Sequence, residues 1–403
     1  MSHTPLPQDA LVELGRRYLY PNYRQPPLVL VRGEGSVVWD AAGKRYLDFY
    51  AGIAVSALGH AHPALIRAVS EQAARLVHVS NYFFNEPNVR LAEKLCRATK
   101  LDRAFFCNSG TEAIEASLKL ARRFFWAAGQ PERLRVIAFD NSFHGRTLGA
   151  LAATGQAKYK DGFGLLPHVT HVPYADLAAV EAAIGPDVAA ILVEPVQGEG
   201  GVVPAPAGFL PGLRRLADAH GALLIADEIQ TGVGRTGTFL ACEHDGVSPD
   251  VVALAKGLGG GIPIGAMLCK ASLSEALPPG SHGSTFGGNP LASAAALAVL
   301  EALESEHLMT AARSRGEQLA GGLVRIAERH PAKAAACRGR GLLQAIELRA
   351  EVDARAVLGK LQDAGLLVTI AGGQALRFSP PLVVREAEIE EALSVFDLVL
   401  GAA

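Results

Sequence analysis

Short apolar runs that alternate with amphipathic helical segments are the feature that most constrains the fold of this 403-residue chain. Two helices are predicted over residues 111–126 and 209–220, and Gly221 stands where a helix C-terminus favours glycine. Alternation of this kind predicts an α/β domain built around a mostly parallel sheet with helices on its faces. Five apolar runs are predicted to be buried strands: residues 136–139, 188–193, 223–226, 251–254 and 266–269.

The C-terminal part of the sequence has a different pattern. Helices are predicted over residues 291–303, 311–327 and 387–400, and a strand over 342–348. This order predicts a smaller α+β domain. We therefore expect three parts: an N-terminal segment packing with the small domain (1–70), a large α/β domain (71–293) and the C-terminal small domain (294–403).

Composition argues against several classes of protein. Charged residues make up 19% of the chain, below the ~25% of a typical globular domain. The 38 basic and 40 acidic side chains are interspersed, without the basic stripe of a nucleic-acid interface. No apolar run reaches the ~18 residues that span a bilayer. We expect neither nucleic acid nor membrane as a partner, and the shortage of charge favours a large buried subunit interface.

The cysteines and the N-terminus bear on compartment and metals. Five cysteines, odd in number and without a C-x-x-C pair, indicate neither a disulfide framework nor a zinc ribbon. The first residues lack a charged region followed by an apolar core, so no signal peptide is predicted and we expect a cytoplasmic protein. His60 and His62 have the spacing of a metal pair, but no third ligand stands nearby, and we expect no metal.

The glycines cluster in the second half of the predicted large domain. Of 43 glycines, 19 lie between Gly198 and Gly288. Ligands of open parallel sheets bind beyond the carboxyl ends of the strands, where glycine lets the backbone approach closely. We therefore expect the active site in this region.

A literal G-x-G-x-x-G motif, residues 232–237, lies inside this region and suggests a dinucleotide site. In such a site the glycines lie directly between a strand and a helix, and an acidic residue closes the next strand. Here the acidic candidate, Asp250, precedes the next strand instead. A nicotinamide-dependent dehydrogenase is therefore a remote alternative.

Asp227 and Lys256 each follow a predicted strand, and glycine-rich backbone follows Lys256. This pair suits an aldehyde cofactor, because the lysine forms a Schiff base and the acid stabilises a protonated pyridine nitrogen. A surface lysine and an aspartate capping a turn are the ordinary alternative. Taken alone, the two residues favour that alternative.

Two further segments carry candidate ligand-binding groups. Ser109 and Glu112 begin the first long helix, where the outward-pointing amides favour a phosphate, although the pair is also an ordinary capping box. Phe143 and Arg146 follow the first strand of the large domain. An aromatic ring there can stack on a flat cofactor and an arginine can clamp a carboxylate; a core phenylalanine and a solvated arginine are equally compatible.

Together these segments resemble the class III aminotransferases over almost the whole chain, and among them most closely the acetylornithine aminotransferases. The resemblance implies a fold-type I transferase that depends on pyridoxal 5′-phosphate. The matching motifs are Tyr46-Leu47-Asp48-Phe49, Gly52-Ile53-Ala54-Val55, Gly59-His60, Asn108-Ser109-Gly110-Thr111-Glu112-Ala113, Phe143-His144-Gly145-Arg146-Thr147, Glu194-Pro195-Val196-Gln197-Gly198-Glu199-Gly200-Gly201, Asp227-Glu228-Ile229-Gln230-Thr231-Gly232, Leu254-Ala255-Lys256-Gly257, Gly283-Ser284-Thr285-Phe286-Gly287-Gly288-Asn289-Pro290 and Arg377-Phe378-Ser379-Pro380-Pro381.

The resemblance implies a role for each residue around the cofactor ring. Lys256 would bind the cofactor aldehyde covalently and carry the proton between substrate and cofactor. Asp227 would pair with the pyridinium nitrogen, Gln230 would reach the ring hydroxyl and Phe143 would stack on the ring face. Asp227 and Lys256 are thus the expected catalytic residues.

The resemblance also implies a phosphate site shared by two chains. Ser109, Gly110 and Thr111 would hold the phosphate from the same chain. Thr285 would bind it across the interface of a homodimer, so that each active site needs two subunits.

Four residues are implied to bind substrate. Arg146 would receive the substrate's α-carboxylate and Arg377 would bind glutamate, while Glu199 would neutralise Arg377 when no carboxylate is present. A surface salt bridge is the alternative for Glu199. Ser284 is the fourth expected substrate-binding residue, because it belongs to the matching motif of residues 283–290.

The expected reaction moves the δ-amino group between N2-acetylornithine and 2-oxoglutarate, giving N-acetylglutamate 5-semialdehyde and glutamate in arginine biosynthesis. Ornithine δ-aminotransferases hold the free α-amino group with a tyrosine where this sequence has Ile53, which favours an N-acylated substrate here. Ser56 and Ile114 depart from the asparagines common in relatives, and the acyl preference stays open. Alternatives are N-succinylornithine, N-succinyl-diaminopimelate, ornithine or 4-aminobutyrate, and a non-catalytic pyridoxal-binding protein.

Overall fold

The computed structural model describes residues 6–403. Its helices are α1 Gln8–Tyr18, the single turn α2 Ala51–Ala54, α3 Pro63–Arg75, α4 Glu86–Thr99, α5 Gly110–Ala127, α6 Leu148–Ala153, α7 Leu177–Ala183, α8 Phe209–His220, α9 Pro290–Ser305, α10 Leu308–Arg329, α11 Ala354–Asp363 and α12 Glu386–Gly401. Its strands are β1 Leu30–Glu34, β2 Val37–Asp40, β3 Arg45–Asp48, β4 Arg103–Cys107, β5 Arg135–Phe139, β6 Val169–Val172, β7 Val188–Val193, β8 Val196–Gln197, β9 Val203–Pro204, β10 Leu223–Asp227, β11 Val251–Leu254, β12 Gly265–Cys269, β13 Ala334–Arg340, β14 Leu343–Leu348, β15 Leu366–Leu367, β16 Thr369–Ala371 and β17 Ala375–Phe378.

A seven-stranded sheet in the order β4-β12-β11-β10-β7-β5-β6 forms the centre of the fold. The pairs from β11 to β6 are parallel, whereas β12 runs antiparallel to both β11 and β4. The predicted α/β class and mostly parallel sheet are therefore confirmed. The predicted strand at 266–269 forms, but in the reverse direction.

The strands of this sheet are apolar along their whole length because helices cover both faces. All residues of β7, β10, β11 and β12 are buried. A strand covered on both faces has no polar side, which explains the continuous apolar runs in the sequence. The helix predicted at 209–220 is confirmed as α8, and Gly221 ends it with φ +62°.

The C-terminal region forms a second sheet, β13-β14-β17-β16, and α10 packs against β13 and β14. A third sheet joins β1, β2 and β3 to β15, so that residues from the two ends of the chain pair directly. The predicted C-terminal helices and strand are confirmed. The domain boundaries at 70/71 and 293/294 stay predictions.

Residues 6–403 lack two kinds of feature. No helix there is long and apolar enough to cross a bilayer. Nor does that part of the chain bring three or more His, Cys, Asp or Glu side chains into a metal-binding group.

Candidate active site

The candidate site lies at the edge of the central sheet where the carboxyl ends of β4, β5, β10 and β11 meet. Because β12 is antiparallel to both β4 and β11, those two strands point the same way. Ser109 follows β4, Phe143 follows β5, Asp227 ends β10 and Lys256 follows β11. Residues that lie far apart in sequence are thus brought to one edge, as expected for an open parallel sheet.

A cavity of about 400 Å³ opens at this edge. Nine of the twelve predicted site residues line it: Ser109, Gly110, Thr111, Phe143, Arg146, Glu199, Asp227, Gln230 and Lys256. Arg377 lies directly behind Glu199 and Gln230, and the remaining two, Ser284 and Thr285, lie elsewhere.

The amine of Lys256 is held in an environment that favours its neutral form. Burial lowers the pKa of Lys256, although the nearby charge of Glu199 opposes the effect. Lys256 itself has φ +43°, a left-handed conformation that is uncommon for a residue with a side chain. Because the neutral amine is the nucleophilic form, a lowered pKa increases the fraction of Lys256 that can attack an aldehyde.

Asp227 takes part in a buried network that the sequence did not predict. Its Oδ2 lies 2.7 Å from Nδ1 of His144, and its Oδ1 accepts the amide of Ile229 at 3.0 Å. Glu194 is buried next to this pair and accepts the amides of Phe143 at 3.0 Å and Gly198 at 3.4 Å. The Phe-His-Gly-Arg-Thr segment contained the only signal for His144.

Burial raises the pKa of Glu194 to about 7; the nearby His144 opposes this effect and the nearby Asp227 adds to it. A carboxyl group with this pKa exchanges its proton near neutral pH. Two carboxyl groups and one imidazole therefore share a solvent-poor space, an arrangement that is frequent at functional sites.

The helix N-terminus predicted to bind phosphate is built as expected, with one difference. The Ser109 hydroxyl accepts the amide of Glu112 at 3.4 Å, which caps α5. The Glu112 carboxylate, however, accepts the amide of Asn108 at 2.5 Å rather than that of Ser109, so the reciprocal bond is displaced by one residue. The first amides of α5 have no acceptor within the helix and the helix dipole favours an anion there.

The buried Arg377 and the partly exposed Glu199 form an ion pair at the back of the cavity. Nη1 of Arg377 lies 2.5 Å from Oε1 of Glu199 and 3.1 Å from Oε1 of Gln230, and Nε donates to Thr369 at 3.1 Å. Burial raises the pKa of Glu199, but the charges of Arg377 and Lys256 outweigh burial and the net pKa is lowered. Glu199 is therefore a charged partner of Arg377 and not part of an exposed surface bridge.

Arg146 lies at the mouth of the cavity without a carboxylate partner within 4 Å among residues 6–403. Its guanidinium lies 3.8 Å from the ring centre of Tyr159 and 5.5 Å from that of Phe143, and the two rings meet edge to face. Tyr159 was not predicted. The stack keeps a cation available at the cavity mouth for an anionic ligand.

Ser284 and Thr285 line a separate cavity of about 310 Å³ on the other side of Asn108. The Ser284 hydroxyl accepts the amide of Gly287 at 3.0 Å and the side chain of Asn108 at 3.3 Å, so it stabilises a turn. Thr285 is exposed. Within one chain, neither side chain lines the cavity that contains Lys256.

The departures at Ile53 and Ile114 have different surroundings. Ile114 is fully buried in the core, where it contacts no ligand space. Ile53 lies in α2, where four successive residues have positive φ, and Val55 just beyond lines the cavity.

The G-x-G-x-x-G segment, residues 232–237, is a buried loop that does not run directly into a helix. This arrangement removes the structural basis for a dinucleotide site there.

The groups in the cavity that contains Lys256 and Asp227 fit one kind of cofactor. They are an amine with a lowered pKa, a buried carboxylate, an aromatic ring and a helix N-terminus. These match an aldehyde, a basic ring nitrogen, a flat ring and a phosphate. The Asp227 carboxylate has capacity for further hydrogen bonds beyond its two present partners.

Comparison with known proteins agrees with this chemistry. The family model described as aminotransferase class-III matches residues 18–400. The acetylornithine aminotransferase of Myxococcus xanthus is 51% identical over 384 residues, 95% of each chain. A Pseudomonas aeruginosa protein named succinylornithine transaminase/acetylornithine aminotransferase is 47% identical over 94% of each chain. The crystallised ornithine aminotransferase of Toxoplasma gondii, described with partial occupancy of PLP at its active site, superposes with a TM-score of 0.95 at 37% identity, covering 98% of this chain and 94% of that one. The chain therefore belongs to the class-III aminotransferase family.

Proposed function

We propose that this protein transfers the δ-amino group of N2-acetylornithine to 2-oxoglutarate, giving N-acetylglutamate 5-semialdehyde and glutamate. The observation that carries the proposal is the position of Lys256 and Asp227 in one cavity, between Arg146 and the paired Arg377. Relatives named acetylornithine aminotransferase support the choice of substrate. The place of the reaction in arginine biosynthesis rests on the same relatives.

The proposed cofactor is pyridoxal 5′-phosphate, which supplies an aldehyde for the amino group and a ring that withdraws electrons from the substrate carbon. Lys256 would hold its aldehyde, Asp227 its ring nitrogen and Phe143 its ring face. Gln230 would meet the ring hydroxyl. The N-terminus of α5, at Ser109, Gly110 and Thr111, would hold its phosphate.

The chain's own side chains would provide a general base and a fixed carboxylate for the cofactor. The Lys256 amine, once free, is a general base within the cavity because its pKa is lowered by burial. Asp227 is anchored by His144 and the Ile229 amide, so its carboxylate keeps a fixed orientation. The carboxylate that would pair with the ring nitrogen is therefore fixed before substrate arrives.

Two arginines allow one site to accept two different substrates. Arg146, stacked and unpaired, would bind the α-carboxylate of the acylated substrate. Arg377 would bind the α-carboxylate of glutamate or 2-oxoglutarate after Glu199 moves aside. With the acylated substrate bound, Glu199 would stay on Arg377, so that Arg377 is not left as an unpaired buried cation.

The proposed assembly is a homodimer in which Thr285 reaches the neighbouring site. Tyr82 and Phe84 are 93% and 97% exposed, and Phe286 is also exposed next to Thr285. Asn81 donates to the carbonyls of Ser284 and Gly287, which ties these aromatic residues to the Thr285 turn. Large exposed aromatic groups beside a ligand-binding turn favour contact with a second copy.

The test is turnover together with the absorption of the cofactor-loaded protein. Wild type should absorb visible light and convert N2-acetylornithine only when 2-oxoglutarate is present. Lys256→Ala should lose both the visible band and turnover, whereas Lys360→Ala, on the exposed helix α11, should keep both. A colourless wild type that binds no pyridoxal phosphate would rule out the proposal.

A panel of amino donors separates the related substrates. N2-acetylornithine is expected to be used in preference to ornithine and 4-aminobutyrate, because Ile53 offers no polar partner for a free α-amino group. N-succinylornithine and N-succinyl-diaminopimelate complete the panel. The name of the Pseudomonas relative contains both succinylornithine and acetylornithine, which supports a test of the succinylated ornithine. Preference for ornithine would contradict the proposed substrate.

A further inference from the structure

Arg235, in the buried loop of residues 232–237, is the most deeply buried cation that the proposed reaction leaves without a role. Its side chain is 3% exposed, and burial lowers its pKa to about 10. None of the ion pairs found among residues 6–403 includes it, and its Nη2 has no hydrogen-bond partner there. Burying an arginine without a carboxylate is costly, so the contacts it does make are strong candidates for a function.

Those contacts all reach the C-terminal sheet. Nη1 of Arg235 donates to the carbonyl of Leu342 at 3.0 Å and to that of Pro380. The backbone carbonyl of Arg235 in turn accepts the amide of Leu342 at 3.0 Å. Leu342 immediately precedes β14 and Pro380 follows β17, and these two strands are paired. One side chain thus holds both strands from outside their sheet.

The contact between the loop of residues 232–237 and the C-terminal strands β14 and β17 is here called the joint. Close backbone approach leaves no free space in this joint. Gly341 has φ +55°, and a Cβ there would lie 2.7 Å from the carbonyl oxygen of Arg235. A Cβ on Gly234 would lie 3.4 Å from the side chain of Leu382, which follows β17, and 2.9 Å from that of Leu303 in α9. The loop and the C-terminal strands therefore meet in one tight arrangement rather than across a loose surface.

The same two segments meet a second time inside the active site. Gln230, five residues before Arg235, accepts a hydrogen bond from Arg377, three residues before Pro380. The contact of Arg235 with Pro380 and that of Gln230 with Arg377 are therefore successive links between one loop and one strand. Moving Pro380 away from the loop would move Arg377 away from Gln230 and Glu199.

We propose that Arg235 is a positioning residue that sets the location of Arg377 and thereby the affinity for the dicarboxylate substrate. This inference rests on the proposed function, in which Arg377 binds glutamate and 2-oxoglutarate. Arg146, which binds the acylated substrate, follows β5 and has no link to this joint. Loss of Arg235 therefore acts on one substrate more than on the other.

The experiment compares Arg235→Met and Arg235→Lys with wild type, and uses Arg315→Met as the matched control. Arg315 also donates to a backbone carbonyl, that of Leu382, and no hydrogen bond or ion pair among residues 6–403 joins its side chain to the loop. We expect Arg235→Met to raise the KM for 2-oxoglutarate and the Kd of glutarate about tenfold, with a smaller effect in Arg235→Lys. The KM for N2-acetylornithine and kcat should change less than about threefold, and the control should match wild type.

Glutarate binding to the cofactor-loaded protein, measured by calorimetry, needs no turnover. If wild type fails to convert N2-acetylornithine, the proposed substrate is wrong, but the glutarate comparison still decides the role of Arg235. Equal losses for both substrates with unchanged glutarate affinity would show that Arg235 is only structural and would overturn the inference.

A measurement on wild type covers the case in which Arg235→Met does not fold. Amide hydrogen exchange at Leu342 should slow when glutarate binds, because its acceptor is the carbonyl of Arg235. Unchanged exchange at Leu342 under saturating glutarate would contradict the coupling between this joint and Arg377.

Discussion

Single residues control the cavity through burial and through the groups that hold them. Asp227 is oriented by His144, Arg377 is neutralised by Glu199, and Arg146 is held by an aromatic ring. In each case the side chain that does the chemistry was identifiable by type. The family resemblance also implied Glu199 as the partner of Arg377, whereas His144 and Tyr159 emerged only from the structure. The partner decides the charge and direction that the functional group presents.

Tyr159 should determine how well Arg146 binds the acylated substrate. Tyr159→Leu removes the ring below the guanidinium, a contact worth about 0.5–2 kcal/mol, and should raise the KM for N2-acetylornithine roughly two- to thirtyfold. Tyr159→Phe keeps the ring and should stay near wild type. Steady-state kinetics with each substrate varied in turn checks this; an equal effect of both variants would exclude the stacking role.

Glu194 should make stability depend on pH in the acid-to-neutral range. Burial raises its pKa from 4.5 to about 7, so the folded state binds the proton more tightly than the unfolded state. Its contribution to stability is complete below about pH 4.5 and is lost as pH rises through about 7. Glu194→Gln does not titrate and should lack this decline.

The measurement is the thermal midpoint of the cofactor-free protein between pH 5 and 8, where the advantage of wild type over Glu194→Gln should shrink as pH rises. Parallel curves for the two proteins would show that the pKa of Glu194 is not raised in the folded state. Glu181→Gln, on the surface helix α7, provides the comparison for loss of an unrelated carboxylate.

At the scale of elements, residues with positive φ mark the places where the backbone adopts a left-handed conformation that side chains disfavour. In α2, Ala51, Gly52, Ile53 and Ala54 all have positive φ, which costs a residue with a side chain roughly 1–2 kcal/mol. Two hydrogen bonds from Ser379, to the carbonyls of Phe49 and Tyr50, hold the preceding segment in place. Hydrogen bonds from the C-terminal region next to Arg377 thus help to offset the backbone strain in this turn.

The end of α4 offers a simpler case that predicts a gain in stability. Lys100 ends the helix with φ +58° and ψ +31°, is exposed, and its amide bonds the carbonyl of Cys96. Lys100→Gly should stabilise the protein by about 0.5–1 kcal/mol because glycine adopts this conformation without steric cost. Thermal or urea unfolding checks it, with Lys100→Ala as the control that should bring no gain.

At the scale of the whole molecule, the proposed homodimer predicts complementation between two defective subunits. Mixing Lys256→Ala with Thr285→Ala subunits creates heterodimers with one site that contains neither substitution, provided that Thr285 acts across the interface. With random exchange, about a quarter of wild-type activity should return. The mixture is unfolded and refolded together so that subunits exchange.

Each variant assayed alone is the control and should show little turnover at limiting cofactor. No recovery in the mixture, with heterodimers detected by a mass tag on one subunit, would mean that Thr285 serves its own chain. A monomeric wild type in light scattering would contradict the dimer itself.

Much of the fold was predictable because it depends on local pattern. The strands β7 and β11 and the helix α8 form at the predicted bounds, since continuous apolar runs and the C-terminal Gly221 are local signals. The direction of β12 was not predictable from its own residues, because an apolar strand satisfies the core in either direction. Its neighbours β4 and β11 decide it.

The candidate site, like the fold, has features that the sequence predicts and features that only the structure shows. By itself, the sequence determined which reactive side chains the site contains and which family the chain resembles. Lys256, Asp227 and Arg377 stand out as residue types in spaced motifs. Only the tertiary structure decided the partners of Asp227 and Arg235, because His144 and Asp227 lie 83 residues apart and Arg235 and Pro380 lie 145 apart. Hydrogen bonds over such separations leave no periodic trace in a sequence, since they form only after the sheets have brought distant segments together.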